Sequence, residues 1–220
     1  MESGPRELEQ ALGARPDPEH GAQLFRNCAV CHGIHGGGTT DGGVPRIAGQ
    51  HVSVILKQLV DYRHDQRWDI RMEHFADRHH LANAQAMADV AAYVHSLTPD
   101  TPPGAGDGQL VEQGAALYSR KCASCHGLSG EGSATRRIPR LAGQHFEYLQ
   151  RQIYDAVDHR RPNFSRGHIR MLAKLQREDI VGLADFLSRQ LPTQKTSIAS
   201  QPAQATAGSL EPTPQPRSSP

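Results

Sequence analysis

The chain has 220 residues, with 24 lysines and arginines against 23 aspartates and glutamates and a formal net charge of +1. This balance gives no indication of a nucleic-acid or membrane-surface partner, and no run of apolar residues is long enough to cross a bilayer. Hydrophobic residues make up only 37% of the chain, so each half has little apolar material for a core and would gain stability from a bound cofactor.

The chain begins with a polar segment, and we expect residues 1–16 to form a flexible leader. Gly4, Pro5, Gly13 and Pro16 interrupt any helical periodicity there. The segment also lacks the apolar core of a secretory signal peptide.

A first unit is predicted at residues 17–98. Apolar residues recur at helical intervals in three segments, namely residues 19–27, 50–64 and 84–97. A glycine-rich loop separates the first two of these helices.

The rest of the chain repeats this unit. Residues 99–109 are rich in proline and glycine and are predicted to be a linker, and residues 110–192 form the second unit. At an offset of 94, residues 28–51 align with 122–145 without a gap and are identical at 13 of 24 positions. No strand-like alternation of useful length occurs, so we predict an all-α fold in two tandem domains.

Residues 193–220 are rich in proline, serine and glutamine and are predicted to be a disordered tail.

Each unit contains one Cys-x-x-Cys-His motif, which is the attachment site of a c-type haem. In this chemistry two thiols bond covalently to the porphyrin and the adjacent histidine binds the iron. A zinc ribbon would need its two cysteine pairs closer together than the 90 residues found here. A thioredoxin-like pair would need a βαβ context, and a structural disulfide would leave the repeated histidine unexplained. The predicted ligands of two covalent haems c are therefore Cys28, Cys31 and His32 in the first unit, and Cys122, Cys125 and His126 in the second.

The order Gly-x-x-Leu-[Phe/Tyr], Cys-x-x-Cys-His-Gly, Pro-Arg-[Ile/Leu]-Ala-Gly-Gln occurs twice and resembles the dihaem class I cytochromes c of the c4 type. The resemblance covers residues 18–192. It implies two class I cytochrome c domains that face each other, each wrapped around a covalently attached haem. It also implies that the carbonyl oxygens of Pro45 and Pro139 accept hydrogen bonds from the proximal histidines. Gln50 and Gln144 match the motif and are assigned a structural role, while Tyr93 and Phe186 are expected to pack the last helix of each unit against its first.

The two units differ in the residue that is expected to be the sixth ligand of the iron. Met171 lies 45 residues after His126 and 15 before Phe186, which matches the family's axial methionine. Counting 15 residues back from Tyr93 reaches Arg78, which cannot bind iron. Met72 is the preferred sixth ligand of the first haem, and the alternatives are an open iron or one of the nearby histidines, His74, His79 and His80. Arg67 and Arg161 are candidate contacts of haem propionates, with exposed, solvated arginines as the alternative interpretation.

The resemblance implies an electron carrier rather than an enzyme. By analogy it would shuttle single electrons from a quinol–cytochrome c reductase to a terminal oxidase, in transient association with membrane complexes. The alternatives are a cytochrome subunit of a periplasmic dehydrogenase and a small dihaem peroxidase with an open first iron. Because haem attachment takes place outside the bacterial cytoplasm, we expect a periplasmic protein whose export signal is missing from this sequence. Residues 1–98 carry a charge of −3 and residues 99–220 a charge of +4, which predicts a basic docking face for an acidic partner on the second unit unless the asymmetry is chance.

Overall fold

The computed structural model describes residues 3–190, and the predicted tail at residues 193–220 lies outside this range. Regular structure in the described part is helical, apart from one isolated bridge between Ser133 and Ile138. None of these helices has the length and apolar character that a bilayer crossing requires. The all-α prediction is confirmed. The helices are α1 (Gly4–Gly13), α2 (Pro18–His32), α3 (Val52–Arg63), α4 (Ile70–Ala76), α5 (Ala84–Ser96), α6 (Val111–Lys121), α7 (Ala123–His126), α8 (Phe146–Val157), α9 (Arg166–Leu172) and α10 (Arg177–Ser188).

In each unit the opening helix crosses the closing helix at close range. A Cβ at Gly114 on α6 would lie 1.9 Å from the carbonyl oxygen of Gly182 on α10, and one at Gly21 on α2 would lie 2.2 Å from that of Asp89 on α5. Only glycine permits this approach, which explains the first residue of the repeated Gly-x-x-Leu-[Phe/Tyr] motif.

In both units a pair of aromatic rings packs between the opening and the closing helix. The ring centroids of Phe25 and Tyr93 are 5.4 Å apart, and those of Tyr118 and Phe186 are 5.3 Å apart. The predicted packing of Tyr93 and Phe186 is therefore confirmed. Met87 is fully buried in the core between these helices, so it serves as packing and is not a candidate iron ligand.

A buried aspartate on each closing helix fixes the chain that leads into its unit. Asp89 accepts hydrogen bonds from the backbone N–H of Asp17 at 2.8 Å and from Nδ1 of His20 at 2.7 Å. Asp185 accepts the backbone N–H groups of Gly106 at 3.0 Å and Gly108 at 2.7 Å. The segment predicted as a linker is thus held against the second unit, while the exact division at residues 98 and 110 stays a prediction.

The prediction of a flexible leader at residues 1–16 is wrong, because Gly4–Gly13 form a helix that packs against α3 and α5. Pro5 stands in the first turn, where a proline displaces no helical hydrogen bond. The fully buried carboxylate of Glu7 pairs with Arg63, with Nε2 of His64 at 2.8 Å and with Arg78 at 3.4 Å. These partners are more than 50 residues away, so local periodicity does not reveal them.

Replacing Glu7 should destabilise the first unit. Glu7→Gln removes the charge that pairs with buried Arg63, and breaking one side of such a pair costs about 3–5 kcal/mol in the free energy of unfolding. Urea unfolding of the holo-protein measures this loss. Glu9→Gln is the matched control on the exposed face of the same helix and should change the free energy by less than about 0.5 kcal/mol. Equal effects of the two substitutions would show that the buried ion pair does not anchor α1.

Candidate haem sites and the interface between them

The two attachment motifs lie at the ends of the opening helices. Cys28, Cys31 and His32 occupy the last turn of α2, whereas Cys122 ends α6 and begins the short helix α7 that carries Cys125 and His126. All four cysteines are free of disulfide bonds. Burial raises the pKa of both Cys28 and Cys122 to about 11. This is the opposite of a reactive redox thiol, whose pKa is lowered, and it agrees with setting aside a thioredoxin-like pair.

Both proximal histidines are fixed by a proline carbonyl. Nδ1 of His32 donates to the carbonyl oxygen of Pro45 at 2.9 Å, and Nδ1 of His126 donates to that of Pro139 at 3.3 Å. These hydrogen bonds confirm what the family resemblance implied. Burial lowers the pKa of both imidazoles, more than the proline carbonyls raise it. Each ring is therefore neutral, and with Nδ1 as the donor its Nε2 lone pair can bind a metal.

The residue after each of these prolines is an arginine whose side chain has a buried N–H donor without an acceptor. Within the described part of the chain, Nε of Arg46 and Nε of Arg140 are the buried side-chain polar atoms without a hydrogen-bond partner. A buried donor of this kind calls for an acceptor, and haem carries carboxylate groups. Two thiols, a neutral oriented imidazole and a buried arginine Nε donor in each unit therefore fit a covalently attached haem.

On the distal side of the first unit, Met72 is the third residue of α4. The carboxylate of Asp69 caps this helix and accepts the backbone N–H groups of Arg71 at 3.0 Å and Met72 at 3.4 Å. The charges of Asp69 and Arg71 both act on the imidazole of His32. The N-terminal end of α4, which carries Met72, therefore lies near the first proximal histidine.

The three alternative histidines gather around Asp77, at the other end of α4. Nδ1 of His74 lies 3.9 Å and Nδ1 of His80 lies 3.2 Å from its carboxylate oxygens, and the rings of His74 and His80 are 4.5 Å apart. The backbone N–H of His79 donates to the same carboxylate at 2.8 Å. This arrangement gives the rings of His74 and His80 a partner other than the iron, whereas His79 contributes its backbone N–H.

On the distal side of the second unit, a histidine occupies the third position of α9. Oγ of Ser165 caps α9 and accepts the backbone N–H of His168 at 3.2 Å. The imidazole of His168 lies near that of His126, with ring centroids 6.2 Å apart and ring planes inclined at 41°. Met171 lies one turn further along α9 and is half-buried. Its assignment as an iron ligand stays a prediction, and His168 is a residue that the sequence analysis missed.

The peptide groups that orient the proximal histidines also join the two units. The N–H of Arg46 donates to Oε1 of Gln144 at 3.0 Å, and Nε2 of Gln144 donates back to the carbonyl oxygen of Arg46 at 2.8 Å. Gln50 makes the same pair of bonds to the backbone of Arg140, at 2.9 and 3.0 Å. The structural role expected of the two glutamines is thus to connect the units.

A second pseudo-symmetric cluster lies between the units around two arginines. Arg67 donates to Gln58 at 2.7 Å, to Gln152 at 3.0 Å and to the hydroxyl of Tyr148 at 2.8 Å. Arg161 donates to Gln152 at 2.6 Å and to Gln58 at 3.1 Å. Burial and the neighbouring Arg67 lower the pKa of Arg161 to about 10, so both guanidinium groups are charged at neutral pH. The two arginines are neither solvated nor isolated, and their described contacts are with the interface.

Comparison with known proteins identifies both units. The model of the family "Cytochrome c" matches residues 18–98 and again residues 111–190. Cytochrome c4 of Azotobacter vinelandii is 32% identical over 183 residues, covering 73% of this chain and 82% of that protein. The crystal structure of reduced recombinant cytochrome c4 from Pseudomonas stutzeri superposes with a TM-score of 0.71 at 27% identity, covering 80% of this chain and 100% of that one. Thiosulfate dehydrogenase from Marichromatium purpuratum has a TM-score of 0.68 at 26% identity, and the match covers 82% of this chain and 42% of that one.

The shared peptide groups predict that a glutamine of one unit tunes the haem of the other. In Gln144→Leu the N–H of Arg46 loses its acceptor, so the Pro45 carbonyl is less polarised and accepts more weakly from His32. A weaker hydrogen bond makes His32 a poorer donor to ferric iron. The first haem's potential should rise by tens of millivolts, where about 59 mV corresponds to a tenfold change in a one-electron equilibrium.

Redox titration followed by NMR of the individual haem methyl groups measures this shift. Gln50→Leu is the matched control and should raise the reduction potential of the second haem instead. If each substitution changes the potential of the haem in its own unit, the coupling through the peptide group is absent.

Proposed function

The chain belongs to the cytochrome c family, and from this premise we propose that each Cys-x-x-Cys-His motif holds one of its two haems. The protein is a dihaem electron-transfer cytochrome with two covalently bound haems c. In the proposal, Cys28 and Cys31 bind the first haem, Cys122 and Cys125 bind the second, and His32 and His126 are the proximal iron ligands. Met72 is the sixth ligand of the first iron. For the second iron, residue spacing favours Met171 and the ring geometry favours His168.

The observation that carries this proposal is the hydrogen bond from each proximal imidazole to its proline carbonyl. It occurs in both units, at 2.9 Å for His32 and 3.3 Å for His126. Each haem supplies an iron that alternates between ferric and ferrous states. The protein orients the imidazoles, buries them away from water and provides buried donors at Arg46 and Arg140.

We further propose that the chain is a carrier and not an enzyme, because Met72 would close the first iron to substrates. Redox proteins are its partners, as they are for related cytochromes. The proposed route runs from a membrane quinol–cytochrome c reductase to a terminal oxidase, in the periplasm. The similarity to thiosulfate dehydrogenase favours one second candidate, a subunit that accepts electrons from a dehydrogenase. A partner that persistently co-purifies would favour that candidate, and rapid carbon monoxide binding at the first haem would instead favour a peroxidase.

Haem attachment is tested by removing one pair of thiols at a time. The chain is produced with an export leader in a host that attaches haem c. The native protein should contain two covalent haems and take up two electrons per chain. Cys28→Ala with Cys31→Ala, and Cys122→Ala with Cys125→Ala, should each leave one covalent haem by mass and one electron by reductive titration. A pair of substitutions that leaves both haems covalently bound would contradict the assignment.

The proposed docking face on the second unit has a structural basis in two exposed arginines. Arg136 and Arg137 are exposed, and a guanidinium nitrogen of Arg136 lies 3.7 Å from Sγ of Cys125. The equivalent positions of the first unit are Gly42 and Gly43. The second attachment site therefore has two exposed arginines at positions where the first unit has glycines, whereas Arg71, the arginine near Cys31 in the first unit, is paired with Asp69.

Electron transfer with an anionic reagent should accordingly depend on salt. With ferricyanide as oxidant, the second-order rate constant should fall several-fold as the ionic strength rises from about 0.01 to 0.15 M, because the Debye length shortens from about 30 to 8 Å. Arg136→Glu should weaken this dependence, whereas Arg26→Glu, at an exposed position of the first unit, should affect it less. A rate constant that does not change with salt would rule out the docking face.

A further inference from the structure

We propose that the second haem iron is held between two histidines, His126 and His168, so that the two irons of this protein have different ligand sets. The inference rests on the proposed function, since it takes a haem at each motif as given. It departs from the methionine ligand that residue spacing assigns to the second unit.

The first support is the distance between the two imidazoles. Their ring centroids are 6.2 Å apart. With metal–nitrogen bonds of about 2 Å, two imidazoles on opposite sides of one metal have centroids roughly 6.3 Å apart. The inclination of 41° between the planes is compatible with such a pair, because each ring can turn about its own bond to the metal. Nδ1 of His126 is engaged by Pro139, which leaves Nε2 for the iron.

The second support is the helical register of the two distal segments. Helices α4 and α9 are both seven residues long, and each begins after a capping side chain, Asp69 or Ser165. The third residue is Met72 in α4 and His168 in α9, and in each helix its backbone N–H binds the cap. The residue that matches Met171 is Phe75. Register therefore pairs His168 with the preferred ligand of the first iron, and it pairs Met171 with a side chain that cannot bind iron.

The third support is that the His168 ring is held in place. Its centroid lies 5.0 Å from that of Phe164, and the guanidinium carbon of Arg161 lies 4.6 Å from the Phe164 ring centroid. Arg161 is itself bound to Gln58 of the first unit and Gln152 of the second. A continuous set of contacts thus runs from the interface to the imidazole.

Different ligand sets give the molecule a direction for electron flow. Methionine–histidine ligation raises the reduction potential of a haem, so the first haem has the higher potential. Electrons therefore move from the second unit to the first. The basic face beside Cys125 then becomes the surface that receives electrons from an acidic donor.

The test counts sulfur ligands in the ferric holo-protein. Iron bound to methionine has a weak sulfur-to-iron charge-transfer band at the red end of the spectrum, and iron bound to two histidines lacks it. The native protein should show this band for one of its two haems. Met171→Leu should leave the band and both potentials unchanged, while Met72→Leu should abolish the band. His168→Met should double the intensity of the band and raise the reduction potential of the second haem towards that of the first.

Two results would overturn the inference. One is a native band that corresponds to two methionine-bound haems, and the other is loss of half of that band in Met171→Leu. Both can be read without the His168 variant, should that variant fail to fold. The covalent haem count is measured on the same samples. A count below two would contradict the proposed function, whereas a count of two with the wrong ligand bands would contradict His168 alone.

Discussion

Two peptide groups, Pro45–Arg46 and Pro139–Arg140, link the proximal histidines to the interface between the units. The carbonyl side of each peptide accepts a hydrogen bond from the histidine of its own unit, and the N–H side donates to a glutamine of the other unit. Hydrogen bonds arranged in series polarise one another. The orientation and donor strength of each imidazole therefore depend on the presence of the neighbouring unit.

This link explains why the proximal sides of the two units are so similar in sequence. The Pro-Arg-x-Ala-Gly-Gln-His segment supplies both the acceptor for its own histidine and the glutamine for the other unit, so a change in one copy disturbs both sites. His51 and His145 extend the same pattern, since their Nε2 atoms bind the carbonyl oxygens of Glu131 and Gly37 across the interface at 2.8 and 2.7 Å. The distal helices do not share this constraint. Met72 and His168 could therefore diverge while the scaffold stayed the same, and in the proposed ligand assignment this difference separates the potentials of the two haems.

Much of this could be predicted from the sequence, and the failures have two physical causes, namely partners distant in the chain and connections of unequal length. Helices α2, α3 and α5 follow from local residue patterns and the proline hydrogen bonds follow from the family resemblance, and the structure has both where they were expected. Glu7 was missed because Arg63 and Arg78, its charged partners, are distant in the chain. The alternative of exposed, solvated arginines at positions 67 and 161 fails because the partners of Arg67 and Arg161 belong partly to the other unit, while their contact with haem propionates stays a prediction. His168 was missed because counting back from Phe186 assumes that the distal helix and the closing helix are joined by the same number of residues in both units. The connection from α4 to α5 is residues 77–83, whereas the shorter connection from α9 to α10 is residues 173–176. Counting forward from the helix caps aligns His168 with Met72.

The central claim is that one scaffold holds two haems in different ligand fields and so directs electrons from the second unit to the first. The most direct measurement is a potentiometric titration of the native holo-protein followed by low-temperature EPR. We expect two ferric low-spin signals of equal intensity, one typical of histidine–methionine and one of bis-histidine ligation, with the bis-histidine signal disappearing at the lower potential. Two signals of the same ligand type, or a bis-histidine signal that is reduced first, would contradict the account.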